Sequence, residues 1–177
     1  MDTHDLDISR WSIQRLARYL ATAADKGTII YAKPLVSFLN ADCERDLFAH
    51  AALAISGRSF EVLAEKAPDG YANIDICMSR QLWEIKSPNG DTLRGVETAV
   101  RKAQRQFKKT AASSYCPRLI FNARYHTLDD SALLTELRKR LEQHGFANAL
   151  FISKRGRVIS IPLNKNPTFL LAGPPGC

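Results

Sequence analysis

Asp75, Glu84 and Lys86 are the residues whose types and spacing suggest chemistry. Asp75 lies between Ile74 and Ile76, while Glu84 and Lys86 alternate with Trp83 and Ile85. Side chains in a strand alternate faces, so Glu84 and Lys86 share one face and Asp75 points away from its isoleucines. A two-residue turn at Ser79-Arg80 would pair 77 with 82, 76 with 83 and 75 with 84. Two carboxylates would then stand opposite each other with a lysine one step along. Ser-Arg is a poor dipeptide for a primed hairpin turn, which weighs against this register.

Such a pair is costly without a ligand. Two unit charges ~5 Å apart at an effective dielectric of ~20 repel by about 3 kcal/mol, and like charges facing across a ladder destabilise it. Lys86 offsets part of this, and a divalent cation would offset more. Oxygen ligands suit Mg²⁺ or Mn²⁺, with Zn²⁺ a further possibility. An ion of this kind polarises a phosphate and activates water at neutral pH, and a nearby lysine stabilises charge developing on the phosphorus centre. The bland alternative is a solvated strand face carrying three ordinary charges. The apolar setting of all three favours the chemical reading.

The elements that must position these residues follow from periodicity. Residues 10–25 read as an amphipathic helix stopped by Gly27, and Thr28–Ala32 as a short apolar stretch. A helix over 41–56, with Asn40 as its N-cap, ends at Gly57, and Glu44 lies at the upstream end of its Leu47, Phe48, Ala51, Ile55 stripe. Strand-like runs at 59–64, 73–77 and 81–86 precede a turn at Ser87-Pro88-Asn89-Gly90. A helix over 92–110 is capped by Asp91 or Thr92. A buried strand at 117–122, a helix over 129–144 and a hairpin of 148–153 with 157–161 complete the order. The fold class is therefore α/β (α+β): a mixed central sheet with an αβββαβ core over 41–122, flanked by helices and followed by a C-terminal αββ addition. The chain divides into an N-terminal helical extension (1–40), a catalytic domain (41–161) and a C-terminal tail (162–177) that looks frayed.

Composition narrows the partners. In 177 residues, 25 Lys+Arg against 18 Asp+Glu give a net charge of +7, which favours a polyanion. The 92–110 helix concentrates this charge. Val96, Ala99, Val100, Ala103 and Phe107 mark its buried stripe, and Arg101, Arg105 and Lys108, flanked by Arg94, Lys102 and Lys109, form a basic face opposed only by Glu97. That face reads as a track for a phosphate backbone or as simply solvated. Four scattered cysteines and four scattered histidines make neither a disulfide framework nor a zinc-finger set, and the thiols read as reduced. No apolar run suggests a membrane span, and the polar, acidic MDTHDLDIS start is unlike a signal peptide. Lys154, Arg155 and Arg157 read as a solvent-facing hairpin tip with a lesser prospect of RNA contact. Tyr125-His126, after the buried strand, reads either as a substrate-side loop or as structural.

Asp75, nine residues, then Glu84-Ile85-Lys86, inside αβββαβ, resembles the PD-(D/E)xK (restriction-endonuclease-like) nuclease superfamily. The closer resemblance is to C-terminal tRNase domains of bacterial contact-dependent growth-inhibition toxins and related phage and mobile-element proteins. It is carried by Glu44 onward, Gly57–Val62, Asn73-Ile74-Asp75 and above all Trp83-Glu84-Ile85-Lys86-Ser87-Pro88-Asn89-Gly90. The chain departs from the family at Asn73-Ile74, where Lys-Pro is usual, and at Ser79-Arg80, where the turn usually contains Gly. The resemblance implies a metal-dependent endonuclease acting on RNA, specifically tRNA, in the cytoplasm of a target bacterial cell, with a cognate immunity protein as partner. It implies Asp75, Glu84 and Lys86 as catalytic residues, Glu44 completing a metal shell with Asp75 and Glu84, and Gln104 or Gln106 reaching the site. Arg101, Lys102, Arg105, Lys108 and Gln104 are the expected nucleic-acid contacts. The alternatives are a DNA nuclease of a mobile element or defence system, a metal-independent ribonuclease of the barnase/EndoU/colicin/RelE type, and a non-catalytic RNA-binding module.

Overall fold

The structure, a computed structural model, describes residues 6–32, 44–63, 74–109 and 116–163. The Asn40 cap, the outer ends of several expected elements and the 164–177 tail lie outside these residues. Helix α1 (Ile13–Asp25) starts at Ser12, whose hydroxyl accepts from the Arg15 N–H at 3.3 Å, and buries Leu16, Leu20 and Ala23. Helix α2 (Glu44–Ile55) is buried along its whole length from Leu47 to Ile55. A helix apolar all round must be covered on every side, and α2 lies between α1 and the sheet.

The sheet has seven strands in sequence order: β1 (Ile29–Tyr31), β2 (Phe60–Val62), β3 (Ile76–Met78), β4 (Gln81–Lys86), β5 (Arg118–Asn122), β6 (Asn148–Ile152) and β7 (Val158–Ile161). β1 runs parallel to β2, β2–β3–β4 are antiparallel, β4–β5–β6 are parallel, and β7 returns antiparallel. This is the expected mixed sheet with the αβββαβ order intact. The first forty residues contribute more than a helix, since β1 joins the sheet edge. Helix α3 (Leu93–Lys109) makes the crossover from β4 to β5, and α4 (Asp130–Gln143), capped by Asp129, the crossover from β5 to β6.

Alternation along the central strands divides the core in two. Trp83, Ile85, Ile120, Leu150 and Ile152 pack with α1 and α2. Leu119, Phe121, Ala149 and Phe151 pack with α3 and α4. Glu84 is in register with Leu119 and Lys86 with Phe121, so both face the α3 side of the sheet.

The β6–β7 turn holds the N-terminal segment. Arg155 pairs with Asp7 at 2.8 Å, and the Ile8 N–H donates to the Arg155 carbonyl at 3.0 Å. Gly156, at φ 89°, lies so close to Ile8 that a Cβ there would come within 2.3 Å of its Cγ1. Lys154 donates to the Thr127 carbonyl at 3.1 Å. Lys154 and Arg155 thus have intramolecular partners.

Candidate active site

The β3–β4 hairpin turns at Ser79-Arg80, both with positive φ (53° and 58°), and pairs Cys77 with Leu82 and Ile76 with Trp83. The expected pairings of 77 with 82 and 76 with 83 therefore hold, with a primed-type turn built from two residues that adopt it at a cost, while 75 and 84 do not form a ladder pair. The ladder stops at Ile76. Asp75 does not continue it; its Oδ2 accepts from the main-chain N–H of Ile85 at 2.6 Å, while its own carbonyl accepts from Leu63 on the β2 side. A side chain has replaced a main-chain acceptor where β3 and β4 separate. From Glu84 onward β4 pairs with β5 along its other edge. The sheet forks here, and the fork holds the charged residues.

Asp75, Glu84 and Lys86 converge at this fork. Glu84 is fully buried, and Lys86 forms an ion pair with its Oε1. Its other oxygen, Oε2, is buried and receives no N–H or hydroxyl hydrogen bond among the described residues, and the Asp75 carboxyl lies within hydrogen-bonding reach of Glu84. Burial first, then the nearby Asp75 carboxylate, pushes Glu84 up to about 8, against the opposing pull of Lys86. Burial likewise raises Asp75, countered by its bond from Ile85 and by Lys86. Burial and mutual repulsion thus both work against ionising the two carboxyls together. Two buried, adjacent carboxyls that resist ionising together suit an oxygen-ligated cation, which would take the place of a proton.

Two expected contributors are not brought to the fork. Among the described residues no group of three or more His, Cys, Asp and Glu stands close enough to hold a metal. Glu44 opens α2, on the opposite face of the sheet, and stands beside Tyr125. The family pattern located it by chain order; the side from which α2 approaches takes it elsewhere. Gln104 is also committed: its Nε2 donates to the His144 carbonyl at 2.9 Å and its Oε1 lies 3.3 Å from His144 Nδ1. It lies on the flank of α3 that meets α4, where Glu97 also approaches Arg140 at 3.5 Å. Gln106 lies about 160° around the helix from Gln104, on the flank away from α4. Arg101, Lys102, Arg105 and Lys108 are all exposed on α3, as a phosphate track requires.

The sequence reading overlooked a second polar group at the ends of β4 and β5. Asn122 is fully buried; its Nδ2 donates to Ser87 Oγ at 3.0 Å and to the Arg45 carbonyl at 3.1 Å. Its Oδ1 accepts from the Arg124 N–H at 3.1 Å. One amide thus joins the end of β4, the end of β5 and the start of α2. An asparagine closing the apolar run Pro117-Arg118-Leu119-Ile120-Phe121-Asn122 was the available signal.

No protein-family model matches the chain, and no curated protein matches it. Among solved structures it is similar to a chain of the CdiA-CT/CdiI toxin and immunity complex from Burkholderia pseudomallei, at 14% identity and a TM-score of 0.48, over 73% of this chain and 87% of that one.

Proposed function

We infer that this protein is a divalent-metal-dependent endonuclease that hydrolyses phosphodiester bonds in RNA. The observation that carries this reading is the buried Asp75–Glu84 pair at the fork of the sheet, with Lys86 against it. Asp75 and Glu84 would hold the ion, which supplies Lewis-acid polarisation of the phosphate and of a water molecule. Lys86 keeps its ammonium group beside the pair, where it can orient the attacking water and balance charge on the non-bridging oxygens. Water adds to phosphorus as the bond to the leaving sugar oxygen breaks, and that oxygen departs with a proton. The exposed cations of α3 would guide the substrate backbone.

The choice of RNA, and of tRNA within it, rests on the resemblance of Trp83-Glu84-Ile85-Lys86-Ser87-Pro88-Asn89-Gly90 to growth-inhibition toxin domains. A cognate immunity protein, covering the basic surface, belongs to the same reading. Incubation with total tRNA and with plasmid DNA, in Mg²⁺, Mn²⁺, Zn²⁺ or EDTA, is the test. Metal-dependent cleavage of tRNA, lost separately in Asp75→Ala, Glu84→Ala and Lys86→Ala, is the expected result. Full activity in EDTA would overturn the metal mechanism, and cleavage of plasmid alone would overturn the assignment to RNA.

A further inference from the structure

The side chains around Asn122 form a cluster that the hydrolytic centre does not use. Arg124 lies over the ring of Phe48 at 4.8 Å and that of Tyr125 at 5.8 Å, and Arg45 lies over Tyr125 at 5.2 Å. Neither guanidinium forms an ion pair among the described residues. Arg124 Nε is buried without a hydrogen-bond partner among the described residues, while the Tyr125 hydroxyl lies between the Glu44 carboxylate and Arg124. Leaving that buried donor unpaired costs about 1–3 kcal/mol. The aromatic faces hold the guanidiniums in place while leaving N–H groups of both unspent, and Asn122 fixes the main chain of both arginines. Burial first, and then the hydrogen bond to Glu44, push Tyr125 up to about 12, so its hydroxyl remains a donor. Two arginines against one glutamate leave the cluster positive.

Its position is equally specific. Asn122 ties it to Ser87, the residue after Lys86, ~10 Å along β4 from Glu84. The cluster lies on the α2 side of the sheet, so a strand leaving the fork would reach it by passing over the ends of β4 and β5. We propose that Arg45, Arg124 and Tyr125 form a phosphate-binding subsite that takes a backbone phosphate of single-stranded RNA beyond the one being cleaved. Arg presents a planar fork of donors suited to this group. The proposal rests on the nuclease reading above, but it concerns binding and is measured without cleavage.

The test is fluorescence-anisotropy titration of a labelled RNA oligonucleotide of about ten nucleotides, in EDTA, over a range of salt concentrations. Arg45→Gln and Arg124→Gln should each flatten the plot of log Kobs against log salt by about 0.7. Arg124→Lys, which keeps the charge, should retain the slope, and Tyr125→Phe should weaken binding with the slope unchanged. Thermal melts and circular dichroism identify any variant that has lost its fold; if one glutamine variant has, the other carries the decision, with Arg124→Lys as the charge-retaining control. If wild type binds the oligonucleotide and cleaves tRNA but the glutamine variants keep the full slope, the subsite is overturned and the nuclease reading stands. If wild type neither binds nor cleaves RNA, both are overturned.

Discussion

Asp75 Oδ2 accepts a hydrogen bond from the main-chain N–H of Ile85 at 2.6 Å, so the proposed metal ligand is also the acceptor that ends the β3–β4 ladder. The two roles separate by substitution. Asp75→Ala leaves the buried Ile85 N–H unpaired and should cost about 1–3 kcal/mol, lowering the midpoint by several degrees in a domain of this size. Asp75→Asn keeps a carbonyl oxygen for that bond and should stay within about 1 kcal/mol of wild type. Both should lose cleavage to the same extent. Denaturant melts alongside activity assays decide it, and equal destabilisation by Ala and Asn would show that the Ile85 bond contributes little.

Arg101, Arg105 and Lys108 are exposed on the α3 face that packs on neither the sheet nor α4. Replacing all three with Gln should flatten the salt dependence of substrate binding by about 0.7–0.9 for each phosphate no longer neutralised, with little change in stability. Salt titrations of wild type and the triple variant measure it. An unchanged slope would mean that this face is only solvated.

Gly156 should tolerate no side chain. It holds φ 89°, and a Cβ would strike Ile8, whose N–H is bound to the neighbouring Arg155 carbonyl. Gly156→Ala combines backbone strain with overpacking and should destabilise by about 2–4 kcal/mol. Asp7→Ala, which removes only the exposed Arg155 partner, should cost about 1 kcal/mol or less. Comparing the two melts separates packing of the N-terminal segment from its surface charge.

The elements were legible in the sequence because their signals are local. The Leu16, Leu20, Ala23 stripe, the basic and apolar faces of α3, and the alternation around Trp83 and Ile85 each appear within one turn or one strand. The hairpin register followed from the same alternation, even with Ser79-Arg80 in the turn. What stayed hidden depends on how distant elements meet. Gln104 finds His144 forty residues away, and Glu44 begins a helix on the far face of the sheet, so neither contact could be read from chain order. The fork was equally invisible, because it depends on a side chain of β3 competing with a main-chain carbonyl for Ile85.

Glu84→Gln gives the sharpest discrimination between a metal site and a coincidental pair. In the metal-free protein Glu84 is raised from its ordinary 4.5 to about 8, chiefly by burial and then by Asp75. A carboxyl raised on folding binds more protons in the folded state than in the unfolded state across that interval. Stability is therefore complete below pH ~4.5 and declines as pH rises toward about 8, by as much as a few kcal/mol. Glutamine mimics the protonated acid at every pH. Metal-free Glu84→Gln should therefore match wild type near pH 5, exceed it progressively toward pH 8, and abolish the decline attributable to this group. Adding Mg²⁺ or Mn²⁺ should raise the wild-type midpoint, more strongly at pH 8 than at pH 6 because the ion displaces a proton. The variant should barely respond. Thermal melts at pH 5, 6, 7 and 8, with EDTA and with excess metal, supply the comparison. Parallel pH curves for the two proteins, with equal metal shifts, would show that Glu84 binds neither the proton nor the ion in the way its burial requires.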